Sequence, residues 1–122
     1  MALTRKEKSV IEKMETAADF LTLPDEIRDD FIAILTRVGG EFWNREGLEP
    51  RTRSLATMAV LCARGQWEEL AIHVRLGEQA FGLSRQEICE LILHCALYAG
   101  APAAASGMKV AAGVFEALDA ES

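Results

Sequence analysis

The chain has 122 residues and a formal net charge of −6 at pH 7, with half of its residues hydrophobic and 26% charged. A globular chain of this size buries about two thirds of the surface that it exposes when unfolded, which is enough for a core. The excess of acidic side chains argues against a nucleic-acid backbone or an anionic membrane as the main partner, since both would repel it. We therefore expect one globular domain over residues 1–122.

The N-terminal half predicts two helices. Residues 4–21 form the first, whose apolar face is thin. The second begins after Pro24, where acidic residues in the first turn complement the helix dipole. Gly39 and Gly40 are expected to end it, and residues 41–48 to connect it to the next helix. Its predicted buried stripe is Ile27, Phe31, Ile34, Leu35 and Val38.

Two further helices are predicted to meet at Gly65, which suits the left-handed residue at a helix end. The first, residues 50–64, starts at Pro50, where the missing N–H is not needed. The second covers residues 66–81. The stripes that we expect to be buried are Leu55, Met58, Ala59 and Cys62 on the first helix, and Leu70, Val74, Gly77 and Phe81 on the second.

The last two predicted helices cover residues 84–99 and 102–118. Ser84 and Glu87 have the spacing of a capping box, and Gly100 is expected to end the fifth helix. The sixth helix is rich in alanine and glycine, which predicts close packing against the core or a neighbouring chain. The predicted buried stripe of the fifth helix is Ile88, Leu91, Ile92, Cys95, Tyr98 and Ala99.

Targeting and cysteine use predict a cytoplasmic protein. The N-terminus, MALTRKEK, lacks the apolar segment of a signal peptide, and no apolar run approaches the ~20 residues that span a bilayer. Cys62, Cys89 and Cys95 form neither a CxxC motif nor a metal-ligand spacing. We expect all three to be small buried side chains.

His73 is the first candidate for chemistry, since an imidazole at the edge of an apolar face needs little tuning to act as a general acid or base. It could equally be a hydrogen-bonded core residue. His94 shares a helix face with Glu90 and Tyr98, where a structural role is favoured. Two distant histidines without HExxH predict no metal site. From these residues alone, the chain is a helical domain with a possible anion site around Arg51, Arg53 and His73.

Three stretches resemble the carboxymuconolactone decarboxylase family, in the decarboxylase branch of protocatechuate breakdown. They are GEFWNREGLEPRTRSL at 40–55, EELAIHVR at 68–75 and LILHCALYAGAPAAASGM at 91–108. With their connections they cover about half of the chain, in register and in order. Residues 41–118 then form the family core, and the N-terminal helices of residues 1–40 resemble the family less.

The resemblance implies an all-α, single-domain bundle of about six helices with an alkylhydroperoxidase-like fold, assembled as a trimer or hexamer with sites near subunit contacts. It also implies a carboxy-lyase acting on a small anionic lactone. The expected reaction is decarboxylation of 4-carboxymuconolactone, or a close relative, to 3-oxoadipate enol-lactone in the β-ketoadipate pathway. No cofactor is expected, because the electrons left by CO2 move through the ring double bond onto the lactone carbonyl.

On this resemblance, the expected catalytic residues are His73 as proton donor, Arg51 as carboxylate anchor and Glu41 in the pocket. Arg51 and Arg53 lie on nearly opposite sides of a helix, as do His73 and Arg75. At most one residue of each pair therefore faces a given pocket, unless a neighbouring subunit completes that pocket. As the residue that faces the pocket, we prefer Arg51 to Arg75. The expected substrate contacts are Arg53, Trp43, Glu69, Arg75, His94 and Tyr98.

Two alternatives remain open. The chain could be an oligomeric binder of a related small molecule that has kept the fold and lost the chemistry. It could also be a redox protein like the alkylhydroperoxidase branch, which uses a CxxC followed by a histidine. Aligning that histidine with His73 places Gln66 and Glu69 where the thiols should be. The redox alternative is therefore the less favoured of the two.

Overall fold

The computed structural model describes residues 12–13 and 19–122, and all regular structure in this part of the chain is helical. The all-α class is thereby confirmed. Of the first predicted helix, residues 12 and 13 are helical, residues 19 and 20 form a turn, and the rest lies outside the described residues. The helices with full bounds are α1 (Asp25–Trp43), α2 (Pro50–Ala63), α3 (Trp67–Gln79), α4 (Arg85–Ala99) and α5 (Ala101–Glu121).

The chain divides into two compact units, Met1–Pro50 and Arg51–Ser122. The single domain expected over the whole chain stays a prediction. None of the helices in the described ranges has both the length and the apolar character that crossing a bilayer requires.

In the first unit, α1 continues through Gly39 and Gly40 to Trp43, so the prediction that the two glycines end the helix is wrong. A glycine inside a helix costs only about 1 kcal/mol relative to alanine, which neighbouring turns can offset. The helix ends at Asn44, whose N–H donates to the Gly40 carbonyl at 3.0 Å. The predicted connection is therefore shorter at its start by three residues, Glu41, Phe42 and Trp43.

The apolar face of α1 was also expected to be buried, and this too is wrong. All five side chains of the predicted stripe are at least 42% exposed. Helical spacing identifies an apolar face, but it carries no information on which surface, if any, covers that face. The buried residues of this helix are instead Thr36 and Gly40.

The second unit is built around a buried core to which all four of its helices contribute. Helix α5 packs along both α3 and α4. The predicted turns between these helices are confirmed: Gly65 has a φ of +70°, and the Gln66 N–H donates to the Leu61 carbonyl at 2.9 Å. The core consists of Met58, Cys62, Leu70, Val74, Leu83, Ile88, Ile92, Cys95, Ala104, Ala111, Val114 and Leu118.

Helix α4 begins and ends as predicted. The Ser84 hydroxyl accepts from the Glu87 N–H at 3.0 Å, and the Glu87 carboxylate accepts from the Ser84 N–H at 3.1 Å. This reciprocal pair is a capping box, which satisfies two backbone donors that a helix start leaves without partners. Gly100, with a φ of +99°, separates α4 from α5.

The small residues of α5 allow it to approach the core closely. A Cβ atom added to Gly107 would lie 2.7 Å from Cys62 Sγ of α2 and 3.0 Å from Ile92 Cγ2 of α4. No alanine fits there without movement of its neighbours. The prediction that this helix packs closely is confirmed at Gly107, whereas Ala112 and Gly113 on the other side of the helix are exposed.

Candidate functional site

His73 lies on α3 and is half-buried, with its Nδ1 atom enclosed by protein. Burial lowers the pKa of His73 from its usual 6.5, because the charged imidazolium loses hydration. The negative charge of Glu69, four residues earlier on the same helix, acts in the opposite direction and raises that pKa. The imidazole is thus mostly neutral near pH 7 and can gain a proton when further negative charge arrives beside it.

Arg53 on α2 is also half-buried, and its Nε atom is enclosed. The next residue, Ser54, is 0% exposed, and its Oγ has no hydrogen-bond partner within the described part of the chain. That oxygen would lie 3.6 Å from a Cβ placed on Gly77, which is one turn beyond His73 on α3. Ser54 of α2 therefore faces the half of α3 that follows His73.

Sequence analysis missed Ser54. It assigned the buried stripe of α2 to Leu55, Met58, Ala59 and Cys62, whereas the fully buried residues are Ser54, Met58 and Cys62. Leu55 and Ala59 are partly buried beside them. The exact four-residue spacing from Ser54 to Met58 to Cys62 was the available signal, but a hydroxyl scores poorly as a core residue.

Arg51, the anchor preferred from the sequence, is exposed and forms an ion pair with Glu87. Glu87 is also the capping residue of α4, so this pair joins the start of α2 to the start of α4. The pKa of Glu87 is lowered, first by the backbone N–H of Ser84 and then by the Arg51 guanidinium. From the sequence, Glu87 was identified only as a cap, because its partner lies 36 residues away.

Arg75 is directed away from His73 toward the C-terminal end of α5. Its two terminal nitrogens donate to the two carboxylate oxygens of Glu121 at 2.8 and 3.1 Å. This bidentate pair raises the pKa of Arg75. A second arginine, Arg85, binds Asp119 and Glu78 in the same region. To contact a substrate, Arg75 would have to leave Glu121.

His94 and Tyr98 lie together on the outer face of α4, with ring centroids 5.4 Å apart. Tyr98 is 78% exposed, so its predicted place in the buried stripe is wrong. The buried residues of α4 are instead Ile88, Ile92 and Cys95. We call the exposed apolar residues on this face of α4 the outer patch; they are Leu93, Leu97 and Tyr98, all at least 58% exposed.

Glu41 and Trp43 belong to the first unit, where both lie in the last turn of α1. Glu41 is exposed and Trp43 is half-buried. Sequence analysis placed them in a connection, whereas the structure makes them helical. Their roles in the site stay predictions.

The cysteines differ in their surroundings. Cys62 and Cys95 are buried as predicted, whereas Cys89 is only half-buried. Burial raises the pKa of the Cys62 thiol to about 11, which disfavours the thiolate that a peroxidase mechanism needs. Across the described residues, no group of three or more His, Cys, Asp or Glu side chains is arranged to hold a metal ion.

Comparison with known proteins agrees with the resemblance seen in the sequence. The model of the carboxymuconolactone decarboxylase family matches residues 30–113. The chain is 42% identical over 113 residues to the 4-carboxymuconolactone decarboxylase of Acinetobacter baylyi, covering 92% of this chain and 78% of that protein.

Two other relatives are more distant. The chain is 38% identical over 71 residues to the nitrosuccinic acid decarboxylase of Metarhizium robertsii, covering 58% of this chain and 49% of that protein. It is 30% identical over 83 residues to an uncharacterized 15.0 kDa protein of Paracoccus denitrificans, covering 67% of this chain and 62% of that protein.

Proposed function

The chain belongs to the carboxymuconolactone decarboxylase family, and we propose that it is a carboxy-lyase acting on 4-carboxymuconolactone or a close lactone relative. The product would be 3-oxoadipate enol-lactone. The observation that carries this proposal is the environment of His73: a half-buried imidazole with a lowered pKa and an acidic neighbour, inside the stretch that matches the family.

The substrate itself supplies the electron sink for this reaction. The carboxylate that leaves is attached to a saturated ring carbon. This carbon is bonded to a ring double bond, and that double bond is conjugated with the lactone carbonyl. Breaking the bond to CO2 moves an electron pair through that double bond and onto the carbonyl oxygen, which gives a dienolate. Protonation of the carbon next to the carbonyl then gives the enol-lactone. The protein has to hold the acetate side chain, stabilise the oxyanion and deliver one proton.

We assign proton delivery to His73. In the substrate-free protein, desolvation favours the neutral imidazole. A bound dianion adds negative charge next to that of Glu69, so His73 takes up a proton as the substrate binds and can donate it to the dienolate. A positioned acid of this kind typically contributes ~10²–10⁴-fold to the rate.

Arg53 is the carboxylate anchor that the structure supports better than Arg51. The guanidinium of Arg53 is partly enclosed, which strengthens its interaction with an anion, whereas that of Arg51 is exposed and paired with Glu87. Preorganised donors at a developing oxyanion typically contribute ~3–4 kcal/mol each.

The decisive experiment is to incubate the purified protein with 4-carboxymuconolactone and follow loss of the lactone together with release of CO2. Turnover that His73→Ala abolishes supports the proposal, and absence of turnover by the wild type rejects it. Nitrosuccinic acid should be assayed in parallel, because a nitro group beside a carboxylate also accepts an electron pair. If the protein turns over nitrosuccinic acid and not the lactone, nitrosuccinic acid replaces the lactone as the proposed substrate. A lactone that raises the Tm without being consumed would favour a binding protein.

We also propose that the chain self-associates as a trimer or hexamer through the outer patch. Exposed large apolar side chains clustered on one surface are typical of contacts between subunits. The ring pair of His94 and Tyr98 would then lie at the contact.

Light scattering coupled to size exclusion tests this assembly. Leu97→Glu, which places a charge in the outer patch, should reduce the measured mass relative to the wild type. Ala112→Glu, on an exposed face of α5, should leave the mass unchanged. A wild type that is monomeric at micromolar concentration would contradict the proposal.

A further inference from the structure

Two thiols that the proposed reaction does not use face each other in the core of the second unit. Cys62 of α2 is 0% exposed and Cys95 of α4 is 7% exposed. The Cys95 thiol donates to the Ala59 carbonyl at 3.9 Å, and Ala59 lies one turn before Cys62 on α2. Cys95 therefore reaches the turn of α2 that carries Cys62, and the two thiols are close enough for Cys95 to contribute to the raised pKa of Cys62.

The surroundings hold the Cys62 thiol in this position. Its Sγ donates to the Ala103 carbonyl of α5 at 3.6 Å. The backbone of Gly107 closes the same side, since a Cβ there would lie 2.7 Å from Sγ. The other neighbours are apolar side chains of the core. A thiol with so little room to move stays near its partner, so the remaining step to a disulfide is the approach of the two sulfurs to a bond length of about 2.05 Å.

We propose that Cys62 and Cys95 are a latent disulfide, which a small uncharged two-electron oxidant closes into a covalent cross-link between α2 and α4. One S–S bond forms and two S–H bonds break. With diamide as the oxidant, both electrons and both protons pass to its N=N bond, which becomes a hydrazine. No other reactant is needed.

The same environment explains why the two thiols would be oxidised slowly and only by certain oxidants. Burial and the neighbouring thiol keep Cys62 protonated at neutral pH, and only the thiolate attacks an oxidant. Charged reagents such as oxidised glutathione would have to be desolvated to reach the core, so a small neutral oxidant is required. The cross-link would close a loop of about 30 residues, which restricts the unfolded chain and stabilises the folded one.

The test is to treat the folded protein with diamide, quench it, unfold it and count the remaining thiols. We expect the count to fall from the three cysteines of the chain to one, with a mass loss of two hydrogens and no change in the size of the chain on a non-reducing gel. Non-reducing peptide mapping should place the link between Cys62 and Cys95. The Tm should rise by about 5 °C or more and return to its starting value on reduction.

Cys89 provides the matched control, because it lies on the same helix as Cys95 but is half-buried. Cys89→Ser should give the same link, whereas Cys62→Ser should give none. Three thiols remaining in the treated wild type would overturn the proposal, as would a link that includes Cys89. A fall in Tm on oxidation would also overturn it, because the link would then form only by distorting the folded structure. Mapping of the wild type does not depend on any variant folding.

Discussion

The two histidines of this chain stand on consecutive helices, yet their surroundings differ. His73 on α3 is half-buried, with an enclosed Nδ1 atom and the carboxylate of Glu69 acting on it. His94 on α4 is exposed and lies against the ring of Tyr98. Helical spacing put His73 at the edge of an apolar face and His94 on a face with Glu90 and Tyr98. The difference arises from how the helices pack, and it separates a candidate proton donor from a candidate subunit contact.

The most direct way to break this comparison is to remove each imidazole in turn. His73→Ala should lower kcat/KM for the lactone by ~10²–10⁴-fold, because the proton donor is lost. His94→Ala should change it by about twofold or less, as is usual for exposed positions. Steady-state kinetics on both variants at the same oligomeric state measures this. Equal losses in the two variants would show that packing does not distinguish the histidines.

Two arginines allow a similar comparison for binding of the substrate carboxylate. Arg53→Lys should raise KM about 10–100-fold, because a charge-assisted, partly enclosed anchor is replaced by one of different shape. Arg51→Lys should raise it much less, since Arg51 is exposed and bound to Glu87. The comparison of the two KM values is internally controlled. A larger effect at Arg51 would restore that residue as the main anchor.

A change in packing should act on stability. Gly107→Ala inserts a methyl group against Cys62 and Ile92 and should lower the free energy of unfolding by about 1–3 kcal/mol. Gly113→Ala on the same helix meets no atom within 4 Å and should raise it by about 0.5–1 kcal/mol. Urea denaturation gives both values. Opposite signs are the expected result, and a stabilising Gly107→Ala would mean that the core has room there.

The smallest expected effect is on the pH dependence, and it sharpens the assignment of His73. If protonated His73 is the acid, kcat/KM falls as the pH rises through the pKa of His73 in the substrate-free protein, which lies below 6.5. Glu69→Gln removes a charge that raises this pKa, so the fall in kcat/KM should occur at a still lower pH. At pH 7 the variant should have a lower kcat/KM than the wild type, since a smaller fraction of His73 is protonated in the substrate-free protein. A fall in kcat/KM that moves to higher pH in Glu69→Gln would contradict the proposed effect of the Glu69 charge on His73.

Local signals predicted the local features. The capping box at Ser84 and Glu87, the left-handed turn at Gly65 and the break at Gly100 depend on residues a few positions apart, and all three are confirmed. The close packing of α5 was also predicted from a local signal, because a run of small side chains lets a helix approach its neighbours closely. The family resemblance was likewise carried by contiguous stretches and is confirmed by the comparisons.

Features that depend on distant residues were not predicted. Arg51 finds Glu87 and Arg75 finds Glu121, over 36 and 46 positions of sequence, and these pairs decide where two candidate anchors point. Tyr98 and the apolar stripe of α1 were expected to be buried and are exposed. Ser54 was passed over because a hydroxyl was not expected in the core.

The order of residues was thus sufficient for the helical class, the positions of the turns in the second unit and the family, whereas the role of His73 stays a prediction. It was not sufficient for the depth at which each side chain is buried, for the partner of each arginine or for the contact between Cys62 and Cys95. Those properties arise when surfaces from different helices exclude water from each other, and that exclusion has no counterpart in the spacing of residues along one helix.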